Sequence, residues 1–265
     1  MRRNQIAAQL YTLRDFAHTA EELDAALKKV RAIGYDAVQV SGIGPIPYAE
    51  VKEICGAHQL KICATHISFD RLVNELDSVI EQHLAWNCRY VGLGGLPVEY
   101  RTGKAGYTAM GKLLTEIGSK LTEAGLQLIY HNHKFEFEKF EGKTGMDWLL
   151  ESSDPEHVGF ELDTYWVQAG GADPVEWIRK VEGRMKVIHL KDMAIVNDNQ
   201  VFSEIGAGNM NFPAIIEACR DTGVQWYVVE QDECAGDPFE SLAISYRYLS
   251  KMANDREESE ANVIH

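Results

Sequence analysis

The 265-residue chain lacks the features that mark several common classes of protein. It has no apolar run near the roughly 20 residues that a membrane-spanning helix needs. The N-terminal stretch MRRNQIAAQLYTLRD contains basic residues but no apolar core of a secretory signal. These two absences predict a cytoplasmic protein that does not bind a membrane.

Positive charge is also scarce, since 26 Lys and Arg oppose 40 Asp and Glu and give a net charge of −14. Such a chain repels phosphates, so a nucleic acid is not expected as a partner. A neutral or weakly charged small molecule is the better expectation, and a homo-oligomer is left open.

Paired cysteine motifs are missing as well. The cysteines are scattered, odd in number and without C-x-x-C spacing, which predicts reduced thiols rather than a disulfide framework. They are Cys55, Cys63, Cys88, Cys219 and Cys234.

What the chain does contain is a regular alternation of short β-rich runs with longer amphipathic runs. Several β-rich runs begin with a solid apolar stretch, which is typical of strands covered on both faces in a parallel sheet. The candidate strands are 6–12, 36–40, 61–68, 90–95, 126–133, 158–165, 185–192 and 226–233.

The runs between the strands, such as AEELDAALKKVRAIG, place apolar residues at helical spacing and end at a glycine. Eight strand–helix units in this length predict a single (β/α)8 TIM barrel over residues 1–252. A doubly wound open sheet is the alternative, weakened because no G-x-G-x-x-G turn follows the first strand. Residues 253–265 are charged and aperiodic and predict a flexible C-terminal tail.

Unusual polar side chains lie near the ends of these strands, where such a barrel places its active site. Because residues two apart on a strand share a face, His131 and His133 point the same way. A ring of His, Asp and Glu predicts a divalent-metal site, with Mn²⁺ expected and Mg²⁺, Co²⁺ or Zn²⁺ open. The residues concerned are His66, His131, His133, Glu161, Asp163, His189, Lys191, Asp192, Glu230 and Asp232.

Each of these residues also has a purely structural explanation. Asp163 could cap the turn after its strand, and Glu161 could form a buried ion pair. A lone barrel histidine is more often a hydrogen-bonding residue than a ligand. Four further histidines fall in predicted helices or loops and are expected on the surface: His18, His58, His83 and His157.

An ordered set of motifs resembles the sugar phosphate isomerase/epimerase group of the xylose isomerase-like barrel superfamily. The motifs are AAQLYTLRD, YHNHKFEF, ELDTYWVQAGG, VIHLKD, EIGAGNMNF and VVEQD. The likeness runs from about residue 5 to residue 252. It implies a metal-dependent sugar isomerase or epimerase of carbohydrate metabolism.

The resemblance implies metal ligands at Asp163, His189 and Glu230, from strands six, seven and eight. The strand-five ligand of the ketose epimerases is a glutamate, whereas this chain has His131-Asn132-His133 there. Either His131 replaces the glutamate while His133 faces the substrate, or His133 binds the metal and His131 supports it. We favour His131 as the ligand. In the epimerases two glutamates transfer the proton, and only Glu230 of that pair is present here.

Sugar isomerisation and epimerisation both begin with removal of a proton next to a carbonyl, and a metal ion stabilises the charge that forms. Glu230 and His133 are the predicted acid–base residues. Lys191 is either a donor to the developing oxyanion or an ion-pair partner of Asp192 or Glu161. The predicted substrate-binding residues are Gln9, His66, Glu136 and Trp166.

The glycine-rich stretch EIGAGNMNF offers backbone amides that could bind a phosphate or a hydroxyl group. No Lys or Arg lies near it, which favours an unphosphorylated sugar or glycoside. The alternative function is a lyase of the same fold acting on keto-inositols or 3-keto-glycosides, since elimination starts with the same proton removal. The acidic charge disfavours an abasic-site endonuclease, and a non-catalytic sugar-binding barrel is a further alternative.

Overall fold

Eight parallel strands close into a barrel in the computed structural model, which describes the backbone of residues 1–263 and the side chains of residues 1–254. The strands follow one another around the barrel in chain order, and the last pairs with the first. The predicted (β/α)8 barrel is confirmed, and each predicted strand segment contains one barrel strand. Strands β1 to β8 are Ile6–Gln9, Ala37–Val40, Lys61–Ile67, Tyr90–Leu93, Gln127–His131, Val158–Asp163, Val187–Leu190 and Trp226–Val229.

The helices begin and end where the local sequence directs. In the first helix, the Thr19 side chain accepts the N–H of Glu22 as an N-cap, and Gly34 follows the last turn with φ of 124°. In the eighth, Asp173 caps and Pro174 takes the first position. Helices α1 to α10 are Ala20–Ile33, Tyr48–Ala57, Phe69–Asn74, Leu76–Trp86, Lys104–Glu123, Gly145–Ser152, Thr164–Ala169, Pro174–Lys180, Phe212–Asp221 and Pro238–Val263.

The chain divides into two compact units that interleave along the sequence. The central unit comprises Cys63–Ile188 and Glu217–Val224. The terminal unit comprises Met1–Ile62, His189–Ile216 and the described residues from Gln225 onward. We use these two names below.

Within each unit the strands carry polar side chains into the interior. Strands β1, β2, β6 and β7 are buried along their whole length, which explains their apolar character. Burying a polar group without a hydrogen bond costs several kcal/mol, roughly 2–7 by transfer measurements. Polar side chains on these strands are therefore expected to bond either to protein groups or to a ligand. In the terminal unit, Gln9 of β1 is paired in register with Gln39 of β2.

Two short hairpins were not anticipated from the sequence. In the central unit Lys139–Phe140 pairs with Lys143–Thr144, and in the terminal unit Asp192–Val196 pairs with Asn199–Ser203. The second hairpin turns at Asn197 and Asp198, whose φ values of 49° and 64° are typical of a two-residue hairpin loop. Its first strand follows β7 directly, so the predicted segment 185–192 contains parts of two strands.

One predicted surface histidine is wrong. His83 is fully buried, with Nε2 at 2.8 Å from Thr65 Oγ1 and Nδ1 at 2.7 Å from the Val79 carbonyl. Burial lowers its pKa to about 4, so the ring is neutral at physiological pH. On α4, His83 lies on the same buried face as Val79 and Trp86. This helical spacing was visible in the sequence, but the prediction of a surface position did not take it into account.

The chain ends bear on two further expectations. Helix α10 continues to Val263, while residues 264–265 and all side chains after residue 254 lie outside the described residues, so a flexible tail over 253–265 stays a prediction. None of the five cysteines, all within the described residues, forms a disulfide bond in this structure. Within the described residues, no helix is both long and apolar enough to cross a membrane.

Candidate metal centre and active site

In the terminal unit, His189 of β7 and Glu230 beyond the end of β8 lie side by side. His189 Nδ1 is 3.0 Å from Glu230 Oε2, and Nε2 is 2.8 Å from Gln39 Oε1. As the Gln39 amide is oriented, its oxygen can only accept, so Nε2 carries the proton and Nδ1 presents a lone pair to the carboxylate. A lone pair and a carboxylate oxygen repel each other unless a proton or a cation lies between them. The pair therefore suits a shared cation.

A buried lysine completes this cluster. Lys191 is fully buried, and its Nζ lies 2.6 Å from Glu230 Oε2 and 2.6 Å from Asp232 Oδ2. Burial alone would raise the pKa of Glu230, but the Lys191 ammonium, together with a proton shared with His189 Nδ1 when no cation lies between them, holds it well below its ordinary range. Glu230 is thus ionised and oriented. The sequence anticipated a pairing of Lys191 with Asp192 or Glu161, and the structure supplies Glu230 and Asp232 as its carboxylate partners.

In the central unit, two histidines surround the Glu161 carboxylate. His66 Nε2 lies 2.6 Å from Glu161 Oε2, and His131 Nδ1 lies 3.9 Å from the same oxygen. Glu161 is fully buried, and one ligand atom from each of the three side chains lies within 4.8 Å of the others. The anticipated buried pairing of Glu161 is therefore present, with His66 as its partner.

Asp163, at the end of β6, acts as a helix cap. Its Oδ1 accepts the N–H of Trp166 at 3.0 Å, and its own N–H donates to Asn132 Oδ1 at 3.1 Å. The capping explanation is correct, yet it does not exclude a ligand role, because a carboxylate has two oxygens. Asp163 and His131 each offer a ligand atom, and these atoms lie within 4.8 Å of one another.

His133 lies among aromatic rings. Its ring stacks on Phe135 at 5.5 Å and 10°, and lies 5.6 Å from Trp166 and 5.1 Å from His131, edge-on. The backbone N–H of His133 donates to Glu136 Oε2 at 2.9 Å. Strand β5 ends at His131, so His133 lies just beyond the strand, and the two histidine rings meet at 89° and are presented differently.

Glu136, a predicted substrate contact, is fully buried under this turn. Its Oε1 accepts the O–H of Tyr130 at 2.6 Å, and burial raises its pKa to about 7. Both oxygens are engaged by protein groups, so a substrate contact through Glu136 stays a prediction.

Gln9, another predicted substrate contact, is buried, and its Oε1 accepts the Tyr11 N–H at 3.3 Å. Its Nε2 has no hydrogen-bond partner among the described residues, which leaves a donor for a ligand oxygen.

Sequence reasoning missed several residues that organise these clusters. Gln39 orients His189, Asn132 fixes the backbone of Asp163, and Tyr130 holds Glu136. The signal for Gln39 was available, because a single amide interrupts the apolar run DAVQV. Tyr130 gave no signal, since an aromatic residue in a strand is ordinary core.

The sequence matches the model of the xylose isomerase-like TIM barrel family over residues 27–251. An inosose dehydratase of Lacticaseibacillus casei is 28% identical over 159 residues, which are 53% of this chain and 53% of that protein. The chain therefore spans about half the length of the curated inosose dehydratases that it matches. The rhizopine catabolism protein MocC of Rhizobium meliloti is 23% identical over 270 residues, covering 87% of this chain and 82% of that protein.

Solved structures bear out the fold. A sugar phosphate isomerase/epimerase of Parabacteroides distasonis superposes with a TM-score of 0.76 at 23% identity, covering 92% of this chain and 96% of that one. At this identity the likeness concerns the barrel alone.

Proposed function

Because the chain belongs to the xylose isomerase-like TIM barrel family, we propose that it is a divalent-metal-dependent enzyme that dehydrates a keto-sugar or keto-inositol. The observation that carries this proposal is the placement of four ligand-type side chains at or just beyond the C-terminal ends of β5, β6, β7 and β8, which are neighbours in the barrel. In such barrels this end holds the active site. The four residues are His131, Asp163, His189 and Glu230.

The donor set fits a metal ion. His189 and Glu230 present a lone pair and an anionic oxygen to each other at 3.0 Å, and Asp163 adds a second buried carboxylate. Two imidazoles and two carboxylates suit Mn²⁺, with Co²⁺, Zn²⁺ or Mg²⁺ as alternatives. When bound, such an ion supplies Lewis-acid stabilisation of negative charge on substrate oxygens.

The chain's own residues supply the proton transfers. We assign proton removal next to the carbonyl to His133, because its half-buried ring lies among Phe135 and Trp166, where a sugar face can stack. The electrons of that C–H bond form the carbon–carbon double bond while the β C–O bond breaks. The departing hydroxide takes a proton from Lys191, whose ammonium is held by Asp232 and Glu230, and leaves as water.

Elimination is favoured over isomerisation by the residues of strand five. The epimerases that the motifs resemble use a symmetric pair of glutamates, whereas here His131 and His133 replace one of them. An imidazole base and a lysine acid form an unequal pair, which suits removal of a proton and delivery of another to a different atom. The curated relatives named inosose dehydratase point the same way.

Isomerisation or epimerisation of a sugar is the second candidate. The ordered motifs resemble that group, and Glu230 retains the strand-eight position of its proton-transfer pair. Both candidates share the first step, so product identity separates them. Incubation with inososes, 3-keto-glycosides and free ketoses in deuterium oxide should give loss of water for dehydration, and deuterated isomer or epimer for the second candidate.

The metal assignment has a matched test. Asp163 and Asp173 both cap helices through a side-chain oxygen, at 3.0 Å in each case. Asp163→Ala should abolish metal content and turnover, whereas Asp173→Ala should lose only helix-capping stability, about 1 kcal/mol. Equal metal content in the two variants would sink the proposed site. More than one ion per chain would favour an endonuclease, and chelator-insensitive sugar binding would favour a non-catalytic barrel.

A further inference from the structure

The carboxylate of Asp192, the residue after Lys191, is enclosed by backbone amides. Asp192 is fully buried, and its two oxygens accept four N–H groups from the glycine-rich loop after β7 and from the residue that follows Asp192. The donors are Met193 at 2.7 Å, Gly206 at 2.9 Å, Gly208 at 3.1 Å and Met210 at 3.2 Å. We call this arrangement the Asp192 cradle.

Two glycines allow the loop to close around the carboxylate. Gly206 has φ of 83°, a conformation that side chains disfavour. A Cβ on Gly208 would collide with Asp192 Oδ1 itself. Successive amides converging on one anion form a concavity of the kind that binds phosphate in other proteins. The expectation that EIGAGNMNF offers its amides to a ligand is therefore wrong for these amides, because the chain's own carboxylate accepts them.

The Asp192 cradle lies in one of the loops that bind phosphate in other TIM barrels. TIM barrels that act on phosphorylated substrates frequently bind the phosphate with the loops after strands seven and eight. Here the loop after strand seven has its amides committed to Asp192. No Lys, Arg or His occurs in residues 193–219, nor in residues 231–246 after strand eight.

Acidic residues occupy those two segments instead, namely Asp198, Glu204, Glu217, Asp232, Glu233, Asp237 and Glu240. Lys191 precedes the first segment, and its ammonium is already paired at 2.6 Å with both Glu230 and Asp232. A phosphate dianion entering these loops would meet like charge and no available anion cradle.

We infer that the substrate of the proposed active site carries no phosphate and is an uncharged polyol, a free keto-sugar or keto-inositol. This inference rests on the proposed function for its substrate class. The Asp192 cradle is observed independently of that function. Thermal unfolding can show whether Asp192 or an added anion occupies the cradle, without any measurement of enzyme turnover.

The first test measures thermal unfolding with and without inorganic phosphate, at matched ionic strength in chloride. The wild-type protein should show no phosphate-specific stabilisation, because Asp192 fills the cradle. Asp192→Ala should unfold at a lower temperature and be stabilised by phosphate or formate, by about 3 °C or more at saturation, since either anion can take the vacated amides. The control is Asp198→Ala, which removes an acidic residue from the hairpin turn of the same segment without opening the cradle. Like the wild-type protein, it should show no phosphate-specific stabilisation.

Phosphate-specific stabilisation of the wild-type protein would overturn the inference, and so would an Asp192→Ala protein that no anion stabilises. Should Asp192→Ala fail to fold, the wild-type titration still decides, and Asp192→Asn provides a second variant. The asparagine cannot accept through both side-chain atoms, so this variant should be less stable than wild type and should gain nothing from phosphate.

The second test compares each candidate substrate with its phosphate ester. The free compound should be turned over with at least tenfold higher kcat/KM than the ester, and preference for the ester would overturn the inference. If neither compound reacts, the proposed dehydratase function is in error, while the phosphate titrations still show what fills the cradle. The two failures are thereby distinguished.

Discussion

The two clusters of ligand-type side chains are built differently. The cluster in the terminal unit is a continuous series of contacts. The Gln39 amide contacts His189, His189 contacts Glu230, and Glu230 forms an ion pair with the Lys191 ammonium. In the central unit, the Glu161 carboxylate lies next to His66 and His131. The Asp163 carboxylate accepts the backbone N–H of Trp166 in α7, and the Asp163 N–H donates to the side chain of Asn132.

The difference lies in how each cluster balances its charge. The terminal carboxylate of Glu230 has a lysine side chain beside it, at 2.6 Å from Lys191 Nζ. The partners described for Glu161 are histidines, which are charged only when protonated. We therefore expect the terminal cluster to keep its geometry without an ion.

The largest effect should follow removal of the ammonium. Lys191→Met leaves the buried carboxylate of Glu230 and the partly exposed carboxylate of Asp232 without their cation, which should cost about 3–5 kcal/mol of unfolding free energy in metal-free protein. Urea denaturation after chelation measures it. Lys186→Met, which removes a half-exposed lysine from the same strand region, should cost under about 0.5 kcal/mol. A small loss in Lys191→Met would mean that the terminal cluster is not charge-balanced by this residue.

The two histidines at the end of β5 give the next largest effect. His131 offers a ligand atom within 4.8 Å of that of Asp163, whereas the His133 ring lies beyond the strand at 89° to the His131 ring, so His131 is the expected ligand. His131→Ala should lower metal affinity by more than about 100-fold, whereas His133→Ala should keep the metal and lose turnover. Metal content, melting temperature and turnover are measured on both variants, with His157→Ala as control. Loss of metal in His133→Ala instead would reverse the assignment, and loss in neither would point to Glu161.

A smaller effect should come from the orienting amide of the terminal cluster. Gln39→Ala removes the acceptor that fixes the His189 ring, and loss of such a partner typically lowers metal affinity about 10- to 100-fold. Gln9→Ala is the matched control, since Gln9 lies opposite Gln39 in the strand register but does not bond His189 in this structure. Competition with a fluorescent chelator measures both. Equal affinities would show that His189 needs no orientation by Gln39.

The barrel could be predicted because the sequence repeats the same pattern, a strand followed by a helix, eight times. Several strands begin with a solid apolar stretch, and the longer helices carry an apolar stripe, so an error in one segment does not change the fold that is predicted. The hairpin Asp192–Val196 with Asn199–Ser203 was missed because its turn, Asn197-Asp198, lacks the Asn-Gly or Asp-Gly signal that usually marks one.

The site was predicted by residue type but not by partner. Strand-end histidines and carboxylates stand out in apolar runs, and all are buried or half-buried in the structure. The groups that these side chains contact come from neighbouring strands. The hydrophobic periodicity of the sequence does not show which residues of different strands meet. Lys191 shows this, since its carboxylate partners lie 39 and 41 residues away along the chain, at Glu230 and Asp232.

The smallest effect concerns a second buried glutamate, which contrasts with Glu230. Burial raises the pKa of Glu136 from 4.5 to about 7. The folded state therefore holds this proton more tightly than the unfolded chain, and the associated stability is complete below pH 4.5 and lost as pH rises through 7. Glu136→Gln removes the titration, so its stability relative to wild type should rise by about 1–2 kcal/mol between pH 5 and pH 8. Glu138→Gln, at the exposed neighbouring position, should show no such gain. A gain of the same size in both variants would place the titration elsewhere, and the central unit would then lack the neutral glutamate that distinguishes it from the terminal unit.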